Sequence, residues 1–320
     1  MPKSDYDLTD LSIINNGRSL SRTKYKPTSK CYNELPQLES GIRYDEPYKI
    51  FARRRLNLSM ERTLISTIVP KNTIQIHAVL GIYVSDLREL VCIAACLNTV
   101  VYDFYIKTYG KEDLYDNTIS KLPIPITANM NPAIARVLAL NAIGPEFMEL
   151  WKKVWNENLQ NEQWTKNDKR LPRDFFDTSE TWNPSYIATN DYMRRQLFVE
   201  LDVYIAMILG LTLSDLISIY RLQFPVMRQY ESDTWYDSTG KIVFTNNKGL
   251  NNVGFDRKEW EGNVKGAMDG MVFTREIEDD TMPGGPVKRT IEYVAPFDKC
   301  DREQDYETAW KFFEEKYGKE

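Results

Sequence analysis

A mixed α/β fold is predicted by three features of the chain. Two short β-branched runs lie in the first third, apolar residues recur at three- and four-residue spacing through the middle, and the period changes to two near the end. These features divide the chain into an extended arm at 1–52, an α/β unit at 53–126, a helical connector at 127–230 and a small β-rich unit at 231–320.

Residues 1–50 show little periodicity and many Ser, Asn, Lys and Tyr, the pattern of a lead-in ordered mainly by what it packs against. Leu64-Ile-Ser-Thr-Ile-Val-Pro70 is short, β-branched and stopped by proline, as a buried strand would be. Ile74, Ile76, Ala78, Leu80, Ile82 and Val84 then alternate with Gln75, His77 and Tyr83, which predicts a half-buried strand. Ser85 is placed to cap a helix carrying Leu87, Leu90, Val91, Ala94, Leu97, Val101 and Phe104, and Gly110 ends it. Leu122-Pro-Ile-Pro125 is stiff and extended, because a residue before proline is pushed out of the α region.

Pro132 sits where a helix can start, and Ile134, Val137, Leu138 and Leu140 open an apolar face that continues to Phe147, Leu150 and Val154. A polar, tryptophan-dotted stretch follows. Asn190 can cap a long helix through Leu209, closed by Gly210, and Thr212 with Asp215 resembles a capping box before a shorter helix that stops ahead of Pro225. Asp237-Ser-Thr-Gly240 is a turn before the strand Lys241–Thr245. Met271–Ile277 and Val287–Val294 flank Met282-Pro-Gly-Gly-Pro286 as a hairpin with a long loop, and a short helix at Tyr306–Phe313 completes the pattern.

The 320 residues are 42% hydrophobic and 27% charged, ordinary globular values that argue against wholesale disorder. A net charge of −5 speaks against non-specific nucleic-acid binding by the whole surface, since that affinity comes from neutralising phosphates. The charge is polarised, however. Arg18, Arg22, Lys24, Lys26 and Lys30 occupy an acid-free stretch from Leu11 to Asn33, whereas acids gather at Glu276–Asp280 and from Asp298 to Glu307. Each run also has the plainer reading of a solvated face.

Cys92 and Cys96 lie one helical turn apart among apolar residues, which favours buried thiols over a bridge or metal pair. With His77 as the single histidine, neither common zinc pattern fits. Free thiols and no recognisable leader point to the cytoplasm. The longest apolar run, within Leu90–Val101, is broken by Asn98 and Thr99 and is too short to span a bilayer, so no membrane role is expected.

Four local patterns invite catalytic readings and lose them. Trp182-Asn183-Pro184-Ser185-Tyr186 is similar to the motif with which amino-methyltransferases hold a flipped base, but no strand–Gly-x-Gly–helix unit precedes it, and an Asn-Pro turn is the better reading. Thr239-Gly240-Lys241 lacks the upstream glycine of a phosphate loop. The acids around Asp279-Asp280 have no lysine at nuclease-like spacing and read as a solvated strand edge. His77 has no nucleophile or acid partner and reads as a polar surface residue. No catalytic residue, metal or cofactor is therefore assigned.

The best functional cluster is Arg53-Arg54-Arg55 with Arg62 and Lys71. Its chemistry suits phosphate positioning, and an arginine fork can also read guanine in the major groove. With Arg18, Arg22, Lys24 and Lys26 these form the candidate DNA-binding set.

From about Arg53 to Ala309 an ordered series of segments resembles the target-recognition region of large adenine-specific DNA methyltransferases, those of type IIG restriction–modification and BREX- or DISARM-like phage defence. The segments are Met60-Glu-Arg-Thr-Leu-Ile-Ser-Thr-Ile-Val-Pro70, Leu122-Pro-Ile-Pro125, Asp191-Tyr-Met-Arg-Arg-Gln196 with Glu200-Leu-Asp202, Tyr220-Arg-Leu-Gln-Phe-Pro225, Trp235-Tyr-Asp237 and Gly284-Gly-Pro-Val-Lys-Arg-Thr-Ile-Glu-Tyr293. The cofactor and catalytic motifs that precede this region in the family are absent, so the resemblance implies recognition without methylation. It implies a non-catalytic DNA sequence-recognition subunit or fragment, with DNA and a separate adenine DNA methyltransferase subunit as partners. A divergent DNA-modifying or DNA-cleaving enzyme and a purely structural interaction subunit are the alternatives. Glu61 and Arg62 of the strand motif fit an anchoring ion pair as well as a DNA contact.

Overall fold

The structure, a computed structural model, describes residues 37–38, 41–75, 77–246, 254–279 and 287–318. It is mixed α/β: helices dominate the middle of the chain, and three small antiparallel sheets lie on either side in sequence.

The first sheet is built around a strand that the sequence pattern does not announce. Lys49–Arg53 (β1) lies between Ser66–Val69 (β2) and Val79–Ile82 (β3), antiparallel to both. The boundary expected between 52 and 53 thus falls inside β1. Ile50 and Ala52 are buried on the helical side, but Lys49 on the other side is buried too, its ammonium donating to the Tyr44 carbonyl. That buried lysine hides the period of two.

The pairing also shortens the strand expected from Ile74 to Val84. A strand needs a partner, and β1 offers one only from Arg53, opposite Val79, to Ile50, opposite Ile82. Before it the chain turns at Lys71-Asn72, where Asn72 adopts a left-handed φ of 61° and donates to the Asp45 carbonyl. His77 sits in an exposed turn rather than on a strand face, and Ile76 lies outside the described residues.

The single helix expected up to Gly110 is two. Leu87–Leu97 (α1) and Val100–Tyr109 (α2) meet at an angle of 71°. The cap of α1 is Asp86 rather than Ser85: Asp86 is extended and its carboxylate accepts from the Glu89 amide at 2.8 Å. At the bend Asn98 and Thr99 donate their side chains to the carbonyls of Ala94 and Cys96, and the new N-terminus is satisfied by the Asp202 carboxylate, which accepts from the Val100 amide at 2.8 Å. Gly110 closes α2 with φ 66°, as expected. Asp116–Ile119 (α3) then leads into the Leu122-Pro-Ile-Pro125 exit, which the Tyr102 hydroxyl pins by donating to the Pro123 carbonyl.

Asn131–Asn141 (α4) and Met148–Val154 (α5) carry the apolar face predicted for this stretch. Asn190 caps Asp191–Ile208 (α6), and the Thr212–Asp215 box opens Leu213–Gln223 (α7). Pro225–Glu231 (α8) follows. Asn183 caps a single 3-10 turn at Pro184–Tyr186, which is the structural reading of that motif. Among the described residues no single helix is long and apolar enough to cross a membrane.

Trp235–Tyr236 (β4) pairs with Ile242–Phe244 (β5) and Asp298–Lys299 (β8). Arg257–Glu259 (α9) continues into a π turn at Trp260–Val264. The expected hairpin forms from Val272–Asp279 (β6) and Val287–Val294 (β7), with Val272 opposite Val294 and Asp279 opposite Val287, while its loop at 280–286 lies outside the described residues. A small core of Val243, Phe244, Trp260, Val264, Ile277, Ile291 and Tyr293 supports it. The last helix, Arg302–Tyr317 (α10), is longer than the pattern predicts and returns to pack on α6. One apolar core therefore runs from Tyr48 to Phe313 and draws side chains from the sheet, the connector and the final helix.

Candidate nucleic-acid interface

The basic residues singled out in the sequence meet different fates. Arg53 leaves β1 and folds back, its Nη2 donating to the carbonyls of Arg62 at 3.1 Å and Thr63 at 3.0 Å. Burial pulls its guanidinium below the ordinary value, with Asp103 opposing. It holds the segment that crosses beside it and has little freedom to meet a ligand.

Arg62 is committed as well. Its Nε donates to Asp103 on α2 at 2.6 Å, and its Nη2 to the Asn98 carbonyl at 3.1 Å. Asp103 is wholly buried, and its carboxylate also accepts from the amides of Thr63 and Leu64. A single carboxylate thus collects a guanidinium and two backbone donors, which fixes the entry to β2 against the helix bend. The motif suggested Glu61 as the acid of an anchoring ion pair with Arg62; the acid that Arg62 meets is Asp103, at 2.6 Å.

Lys71 pairs with Glu149 at 2.6 Å on the surface, and both side chains are about half exposed. Arg55 reaches Glu112 at 3.2 Å and Asp113 at 3.5 Å, where its side chain is 68% exposed and that of Glu112 82%. Ion pairs this open contribute about 0–1 kcal/mol and exchange readily for another anion. Arg54 lies over the ring of Tyr115, 5.0 Å from its centroid, and its Nε finds no hydrogen-bond partner among the described residues. Arg18, Arg22, Lys24 and Lys26 lie outside the described residues.

Arg55 thus remains exposed, Arg54 beside it is half-buried with its Nε closed to solvent, and the fold adds neighbours that the charge pattern did not suggest. The segment 112–114 pairs with 54–56 through Leu114 to the Arg54 carbonyl and Leu56 to the Glu112 carbonyl, both at 2.8 Å. That pairing brings Tyr115 under Arg54. Just before it, Tyr105 and Tyr109 stack at the exposed end of α2 with centroids 6.2 Å apart, and the Lys111 ammonium sits 5.7 Å from the Tyr109 ring. Tyr105, Tyr109 and Tyr115 are each more than a third exposed. The i, i+4 spacing of Tyr105 and Tyr109, off the apolar stripe of α2, is the signal that could have found them.

The strip combines cations with ring faces, the two elements that hold a nucleic-acid strand by phosphate attraction and base stacking. Glu112, Asp113 and Asp116 lie in the same stretch and offset its charge, so stacking carries more weight here than electrostatics. Among the described residues no group of three His, Cys, Asp or Glu side chains is placed to hold a metal ion. No protein-family model, no curated protein and no solved structure matches this chain.

Proposed function

We propose that the chain is a non-catalytic DNA sequence-recognition subunit or fragment, acting with a separate adenine DNA methyltransferase in a modification or phage-defence complex. One observation carries the reading: the Arg54 guanidinium rests on the exposed Tyr115 ring, beside Arg55, on a strip that continues through Lys111 to the Tyr105–Tyr109 stack. The ordered resemblance to the target-recognition region of adenine methyltransferases supports it.

The net charge of −5 assigns most phosphate contacts to the partner. This chain would supply discrimination, where one bidentate base contact is worth about 1–3 kcal/mol. Binding by the chain alone should be weak and salt-sensitive, and sequence selection should emerge in complex.

The test is selection from a random-sequence duplex pool with and without the methyltransferase, followed by titration at several salt concentrations. Replacing Arg54 and Arg55 together by Ala should lower affinity for all duplexes alike and reduce the salt slope by about 0.9 per lost contact. An unchanged slope removes both residues from the interface. Tight, selective binding by the isolated chain would show that it needs no partner.

A further inference from the structure

We infer that the edge of β3 that no strand pairs among the described residues, with the apolar groove beside it, forms a docking site for an extended, β-forming segment of a partner protein. The groove has a volume of about 350 Å³. Leu80, Gly81 and Ile82 of β3 line it together with Ile93 and Leu97 of α1 and with Ile119, Leu122 and Ile124. Asp116 and Ser120 are its polar lining side chains.

Three consecutive residues of one strand line this groove. Alternate strand residues point to opposite faces, so a groove on one face would touch every second residue. Leu80 and Ile82 can line it with side chains, whereas Gly81, which has none, lines it with backbone, so the main chain of the strand is reachable from the groove. β3 is an edge strand, paired with β1 on one side and, among the described residues, with no strand on the other.

The ladder fixes which groups that edge offers. Arg54 donates to the Ala78 carbonyl, and the register places Ala52 opposite Leu80 and Ile50 opposite Ile82. In an antiparallel ladder the hydrogen-bonded pairs alternate, so Leu80 and Ile82 turn their amides and carbonyls toward β1, whereas Val79, Gly81 and Tyr83 turn theirs outward. Leu80 and Ile82 share the helical face with Ala52 and Ile50, and their side chains are only partly buried because the groove lies beyond them. On the other face a Cβ at Gly81 would collide with the Tyr44 hydroxyl and the Gln75 amide, so that side is closed.

An occupant must therefore be a strand: its backbone pairs with Gly81, and every second side chain drops onto Ile93, Leu97 and Ile119. A helix would leave the outward groups of Gly81 unpaired, and a duplex would find seven aliphatic side chains in place of cations. Strand addition of this kind draws affinity from main-chain hydrogen bonds and specificity from alternate side-chain pockets. Asp116, the one charged residue in the lining, selects a basic side chain at one end of the segment.

The experiment is panning of a displayed library of random twelve-residue peptides against the full chain, without DNA. Enriched peptides should alternate apolar residues and carry a Lys or Arg near one end. A synthetic copy of the strongest should slow amide exchange at Gly81 and bind at least tenfold more weakly to Ile82→Glu and Asp116→Lys, with both variants melting as the parent does. A copy N-methylated on the amides that pair with Gly81 should lose binding. Enrichment of amphipathic helical peptides, no enrichment, or equal binding to the folded variants overturns the proposal. Self-association of the chain that Ile82→Glu abolishes would assign the edge to a second copy and also overturn it. Because no nucleic acid is present, failure here leaves the DNA reading untouched.

Discussion

Asp103 does the most at the scale of a single residue. It accepts from Arg62, Thr63 and Leu64, yet its own side chain is closed to solvent. Arg62 is 17% exposed, so removing it strands a buried charge whose remaining donors are neutral amides. Arg62→Ala is expected to cost about 3–5 kcal/mol in urea melts. The same change in an Asp103→Asn background should cost far less, since the amide oxygen still serves the backbone and no charge is abandoned. A double-mutant cycle measures the difference, and equal costs in both backgrounds would show that the pair is not coupled. Lys71→Ala, by contrast, should shift stability by less than about 1 kcal/mol, because its pair with Glu149 is solvated. The sequence places these two cations in one cluster; only burial separates the strut from the surface charge.

At the scale of elements, what was legible is what is local. Asn190 and Thr212 cap their helices, Gly110 closes α2, and β6 pairs with β7, because the deciding hydrogen bonds join near neighbours or a simple hairpin. β1 was not legible, since it exists through pairing with β2 and β3 in a register that no local pattern encodes. The bend between α1 and α2 depends on Asp202, about a hundred residues away. Likewise the Tyr115–Arg54 stack needs the pairing of 54–56 with 112–114 before either residue finds the other.

The inside of α1 makes a separate prediction. Burial pushes the Cys92 thiol up to about 11 and the Cys96 thiol up to about 12, so neither is a thiolate near neutral pH. In a chain with Cys31→Ser and Cys300→Ser, a disulfide reagent at pH 8 should label these two thiols only as fast as α1 opens. Mild denaturant should accelerate labelling, and immediate reaction of the native chain would contradict the packing.

For the molecule as a whole, the deciding feature is the ion network that brings α10 back to the core. Glu231 accepts from Arg195 at 3.1 Å, from Arg302 at 2.8 and 2.9 Å, and from the Tyr220 hydroxyl at 2.7 Å. Burial alone would raise its carboxyl, but Arg302 and Arg195 outweigh burial and hold it at about 2, below the ordinary 4.5. A carboxylate depressed by folding contributes stability that is full above its unfolded value and is lost as pH falls through the folded one. Urea midpoints should therefore fall as pH drops from about 4.5 toward 2. Glu231→Gln should be less stable at pH 6 and lose less on acidification, and parallel pH curves for the two proteins would exclude this carboxylate as a contributor.

The carboxylate of Asp202 touches the Val100 amide at the start of α2 with one oxygen, and Arg302 and Tyr306 of α10 with the other. Its position bears on how such a protein can be cut and recombined. The segment that the sequence sets apart as one unit, 53–126, is wired at its bend to α10, some two hundred residues further along the chain. Transplanted alone, α2 would carry an N-terminus whose counter-ligand stayed behind, and a chain shortened before Arg302 would leave Asp202 as an unpaired charge in its interior. Transplanting this segment into another protein should give a folded product only when α6 and α10 travel with it or when the host supplies an equivalent acid. The unit of inheritance is then the whole core, and the boundary visible in the sequence is not a seam in the molecule.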